Sequence, residues 1–106
     1  MRVLFDQGTP APLRASLPQH AVETAYELGW ATLKNGELIT AAESAGFEVL
    51  VTTDKNLKYQ QNLAARRIAI VVLSTTSWPR IRAALPSVVE AIGAAVASSY
   101  SEVSIE

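Results

Sequence analysis

Three runs of the chain are apolar at every consecutive position: Val3-Leu4-Phe5, Val49-Leu50-Val51 and Ile68-Ala69-Ile70-Val71-Val72-Leu73. A strand with one wetted face alternates apolar and polar residues. Runs without alternation belong to strands covered on both sides, as in a parallel sheet between layers of helices. The segments between them support this reading. Pro10 suits a first helical position and predicts a helix carrying Leu13 and Leu17, stopped by Pro18. Residues 20–24 read as a weak second strand. A helix is expected from Asn35 or Gly36 to Ala45, with Gly46 at its C-terminus, and a more polar one over residues 56–65. From Pro79, Ile81, Leu85, Val88, Val89, Ile92 and Val96 follow helical spacing, with Pro86 kinking or splitting the segment. Residues 100–105 alternate with a period of two and predict an edge strand. The expected fold class is α/β, an open, mostly parallel sheet of four or five strands with helices on both faces.

At 106 residues the chain supports one hydrophobic core, so residues 1–106 are read as a single domain. Nine Lys and Arg against ten Asp and Glu give a net charge of −1. That balance excludes a surface that is basic throughout but permits a local patch for a few phosphates. Without cysteine there is no disulfide, thiolate nucleophile or cysteine zinc site. The apolar runs fall short of the ~20 residues that span a bilayer, and an acid at position 6 comes too early for a signal peptide. No membrane association and a cytoplasmic location are therefore expected. No Ser/His/Asp arrangement, phosphate-binding loop or glycine-rich dinucleotide fingerprint occurs, which disfavours acyl transfer and nucleotide-driven chemistry.

The chain has only two aspartates, Asp6 and Asp54, and each follows a buried apolar run. In an open parallel sheet, strand C-termini share one edge, and ligands bind there where strand order reverses. Two carboxylates meeting at such a point repel unless a cation or a proton lies between them, which points to a hard divalent ion, Mg²⁺ or Mn²⁺, one ion rather than two. The plainer alternative is that each aspartate caps the helix or loop after it. Glu37, near the start of its helix, is the candidate third ligand; Glu43, six residues on, lies about 600° further round and faces elsewhere. Lys55, Asn56 and Lys58 offer phosphate or metal contacts, and Gln60 and Asn62 offer amides to a substrate. Arg66 and Arg67 belong to the opposite edge and read as surface residues. Arg80 and Arg82 suit a nucleic-acid backbone, while Trp30 and Trp78 either stack on bases or pack over the core rim. His20, the only histidine, lies away from the acids.

Taken together, Arg2-Val3-Leu4-Phe5-Asp6-Gln7-Gly8-Thr9-Pro10, Gly29-Trp30 with Leu33-Lys34-Asn35-Gly36-Glu37-Leu38, Thr52-Thr53-Asp54-Lys55-Asn56-Leu57 and Tyr59-Gln60-Gln61-Asn62-Leu63 resemble a compact, largely uncharacterised branch of the PIN-like domain superfamily. The resemblance covers residues 2–73. It implies an α/β/α sandwich, metal-dependent ribonuclease activity, and a place among the toxins of toxin–antitoxin pairs. Asp6 and Asp54 match acids of the PIN pattern. Gln7, Asn35 and Asn56 stand where related chains commonly carry carboxylates, so the charge available to a metal is reduced.

Two expectations result. In one, the chain is an endoribonuclease whose metal is held by Asp6, Asp54 and Glu37, with Gln7, Asn35, Lys55, Asn56 and Gln60 toward RNA. In the other, it is a catalytically weak PIN-like module acting through protein binding, with an antitoxin as one such partner. A homodimer is also expected, because the apolar positions from Ile81 to Val96 exceed what one face of a small sheet covers.

Overall fold

The computed structural model of the chain describes residues 1–60 and 62–106, with Gln60 described by its backbone alone. Five strands, β1 (Arg2–Phe5), β2 (Ala21–Thr24), β3 (Val49–Thr52), β4 (Ala69–Leu73) and β5 (Tyr100–Val103), form one sheet in the order β2-β1-β3-β4-β5. Every neighbouring pair is parallel. All positions of β3 and β4 are buried, as their unbroken apolar runs require.

Alternation along the strands divides the interior into two cores. Val3, Phe5, Val51, Val71 and Leu73 face one side with Leu13, Ile81, Val88 and Ile92, whereas Leu4, Leu50, Ile70 and Val72 face the other with Ile39, Ala42 and Leu57. The result is a three-layer α/β/α sandwich.

The helices are α1 (Asn35–Ser44), α2 (Leu57–Gln60), α3 (Trp78–Ala83) and α4 (Leu85–Gly93). Helix α1 ends at Gly46, whose φ of +86° is the left-handed conformation that glycine adopts without a Cβ penalty. Two expected helices take other forms. After Pro10 the chain makes only a 3-10 helix, Ala11–Ser16, because six residues containing Pro12 and closed by Pro18 are too short to repay α-helix nucleation. The expected helix over 56–65 is instead the single turn of α2 and a 3-10 helix, Leu63–Ala65. Of the apolar side chains there, Leu57 is buried, Leu63 is partly buried and Tyr59 is exposed, too little contact with the sheet to hold a continuous helix.

The segment after Ser77 splits at Ala84. Pro79 and Pro86 both sit in the first turn of their helices, where the absent N–H costs nothing. Ile81, Val88 and Ile92 are fully buried and Leu85 and Val89 pack against them, so the stripe that suggested a dimer is largely covered within the protomer. Val96 alone stays exposed, beyond the end of α4.

The chain crosses the sheet in the same direction from β3 to β4 and from β4 to β5. Yet α2 packs on one face while α3 and α4 pack on the other, so these two crossovers have opposite hands. Among the described residues no helix is long and apolar enough to cross a membrane.

Candidate active site

The chain leaves β1 toward one edge of the sheet and leaves β3 toward the other, so strand order reverses between these two neighbours. A crevice at their carboxyl ends is the general ligand position of open α/β sheets. Asp6 directly follows β1, and its N–H continues the ladder to Val51 O at 3.1 Å. Asp54 follows β3 after Thr53. Both aspartates are half-buried, and each lies just beyond the carboxyl end of one of these two strands.

Thr52, 1% exposed, joins them: its Oγ1 donates to Asp6 Oδ2 and accepts the Asp54 N–H at 3.1 Å. On the other side of Asp6, Oδ1 accepts the Thr9 N–H at 3.2 Å and lies 2.8 Å from Thr9 Oγ1. That hydroxyl is also 2.9 Å from Val51 O, and its one proton serves one acceptor at a time. Asp54 is held as firmly. Its Oδ2 accepts from Asn35 Nδ2 at 2.6 Å, at the first turn of α1, and its Oδ1 accepts the Asn56 N–H at 2.9 Å. Gly8 brings the two loops together, since a Cβ there would stand 2.5 Å from Thr53 Oγ1.

The other expected site residues divide. Asn35 and Asn56 both meet Asp54, the first through its side chain and the second through its backbone. Gln7 and Lys55 are exposed on the loops that carry the two acids. Glu37 is exposed and its Oε1 accepts the Lys34 N–H at 3.2 Å, closing the start of α1. Among the described residues, no three His, Cys, Asp or Glu side chains form a metal-ligand group. The Gln60 side chain lies outside the described residues. Lys58 turns away to Glu102, 3.4 Å distant.

Several neighbours have structural roles. Trp30 packs edge-on against Phe47 and Trp78 joins the core rim, so both take the packing alternative. His20 contacts the N-terminal amine at 3.2 Å. Arg66 is a correction to its expected surface role: its guanidinium is half-buried, 3.2 Å from Glu43 Oε1 and 2.8 Å from Thr40 Oγ1. Burial works to raise the Glu43 pKa, but the Arg67 and Ile68 N–H groups and the Arg66 guanidinium outweigh it and hold the carboxyl below its usual range.

Three contributors carry little signal in the sequence. Thr9 and Thr52 read as a turn residue and a strand residue. The signal that finds Thr52 is its spacing, two residues before Asp54, which lets the hydroxyl meet that residue's N–H. The third is an open cleft of about 870 Å³ beside Asp6, walled by the loop after β1, the 3-10 helix and the loop after β2, with Tyr26 on its rim. Comparison of the chain with protein-family models, with curated proteins and with solved structures finds no match in any of the three.

Proposed function

We propose that the chain is a Mg²⁺- or Mn²⁺-dependent endoribonuclease of PIN-like type in which Asp6 and Asp54 hold one ion. The observation carrying this reading is that the only two aspartates end neighbouring parallel strands on either side of the order reversal, joined through one buried hydroxyl. The donor set fits: it is all oxygen, and Mg²⁺ is commonly bound through one or two carboxylates while keeping several waters. When bound, the ion supplies a Lewis acid to the scissile phosphate and lowers the pKa of a water.

The chain's own groups do the positioning. Thr9 and Thr52 fix the orientation of Asp6, while Asn35 and the Asn56 N–H fix Asp54. Lys55 is exposed beside them for phosphate charge. Glu37 joins the ion only by giving up its bond to Lys34. Gln7 lies toward RNA on the Asp6 loop. The PIN-like resemblance adds the toxin role, with an antitoxin covering this edge.

One observation favours the second reading, a catalytically weak module that binds a partner protein. All four carboxylate oxygens of Asp6 and Asp54 already accept hydrogen bonds from the protein. The deciding experiment pairs cleavage of labelled RNA with thermal melts in Mn²⁺, Mg²⁺ and EDTA. Metal-dependent cleavage and a metal-induced rise in Tm, both lost in Asp6→Asn and Asp54→Asn, support the nuclease. A metal-induced rise without cleavage, or no response at all, gives the place to the binding module.

A further inference from the structure

We propose that the cleft beside Asp6 is a nucleobase subsite in which the Tyr26 ring stacks on one base of an RNA strand whose phosphate lies at Asp6 and Asp54; this rests on the nuclease reading. Tyr26 is 77% exposed, so its ring face is open to a partner. Its backbone is nevertheless held. Ala25 N–H donates to Phe5 O at 2.8 Å and Gly29 N–H to Tyr26 O at 3.1 Å. Thr24 and Glu27 exchange reciprocal bonds of 3.0 and 3.1 Å across the same turn. The ring is thus presented by a fixed loop on the rim of a cleft that begins at one of the two acids.

The lining says which part of a nucleotide enters. Pro10, Pro12 and Ala15 give it apolar walls. The one cation there, Arg14, has both terminal nitrogens on Glu27. Asp6 adds a negative charge. Among the described lining residues a phosphate would meet no cation lacking a carboxylate partner, and the one Arg14 donor left without an acceptor, Nε, is buried, whereas a flat, neutral, aromatic base meets an aromatic face and apolar contact. Stacking on an aromatic side chain is tolerant of sequence because every base has a π-face. A base inside a duplex cannot offer that face, so the strand that enters is unpaired.

The test measures binding separately from cleavage. A labelled, unstructured oligouridylate is titrated against the whole protein in EDTA and in Ca²⁺, and uridine monophosphate is titrated alongside it. Tyr26→Ala is expected to weaken oligonucleotide binding by roughly tenfold or more, and Tyr26→Phe to retain it. The free nucleotide should bind far more weakly than the strand. Because the ring is exposed, both variants should keep the wild-type circular dichroism and Tm. Under cleavage conditions, Tyr26→Ala should raise KM and leave kcat near wild type. Equal binding by Tyr26→Ala and wild type, absence of oligonucleotide binding in both buffers, or monophosphate binding as tight as the strand would each overturn the subsite. If wild type binds RNA through Tyr26 but cleaves none, the nuclease reading falls and the subsite stands.

Discussion

The side-chain amide nitrogen of Asn35 stands 2.6 Å from Asp54 Oδ2, tying the first turn of α1 to the loop after β3. An amide at this position donates to the carboxylate. A carboxylate there would repel it, unless a cation lay between the two. The residue at position 35 therefore sets whether α1 meets Asp54 through a direct hydrogen bond or needs a cation between the two.

Asn35→Asp is expected to destabilise the protein in EDTA by about 2 kcal/mol, from the lost charged hydrogen bond and the added repulsion. Mn²⁺ at a hundredfold excess over its Kd for this variant should add about 2.7 kcal/mol, more than offsetting that loss. Asn35→Ala should lose similar stability in EDTA without the same recovery. Urea melts of both variants with and without Mn²⁺ check this.

Thr52→Val keeps the shape of the side chain but strips Asp6 of a donor and the Asp54 N–H of its acceptor. The expected cost is about 2–3 kcal/mol. Thr52→Ser keeps the hydroxyl, loses one buried methyl, and should cost about 1 kcal/mol. If the two variants melt at the same urea concentration, the hydroxyl bridge contributes nothing.

Burial, reinforced by the hydrogen bond to Glu102, pushes Tyr100 up to about 12 from an ordinary 10.0. The folded protein therefore holds this proton more tightly than the unfolded chain. The stabilisation is complete below the unfolded value and is lost as pH rises from about 10 through about 12. Tyr100→Phe should flatten stability across that window, as measured by urea melts over a pH series.

Glu43 has the opposite sign. Its pKa lies below the ordinary 4.5, so its contribution is present above that value and is lost as pH falls through the lowered one. Glu43→Gln should be less stable than wild type near neutrality and show a shallower acid limb below pH 4.5. Equal acid limbs would remove the Arg66–Glu43 brace from the account.

The strands are legible in the sequence because β1, β3 and β4 are apolar without interruption, a pattern that burial on two faces imposes directly. That Asp6 and Asp54 share an edge comes from their places after such strands. The order of those strands is not legible, since it depends on which face each connection crosses. The residues that hold the acids are hidden for a similar reason. Thr52 lies at the end of a strand and Asn35 opens a helix, and only the pairing of β1 with β3 and the docking of α1 bring them to the carboxylates. The polar stretch after Asn56 reads as more helix than it forms, because its residues touch little of the core. Tyr26 carries no signal beyond being an aromatic in a loop.

The twist of a sheet favours one hand of crossover, and this sheet contains both. The connection through α3 and α4 departs from the hand shared by the others, and it delivers β5, an edge strand paired with β4 alone. Local opening should therefore begin at β5, its amides exchanging with solvent before those of β3, whose strand has a partner on each side. The crevice lies at the closed end of that gradient, between β1 and β3, so the far edge of the sheet can come and go while the acids stay in register.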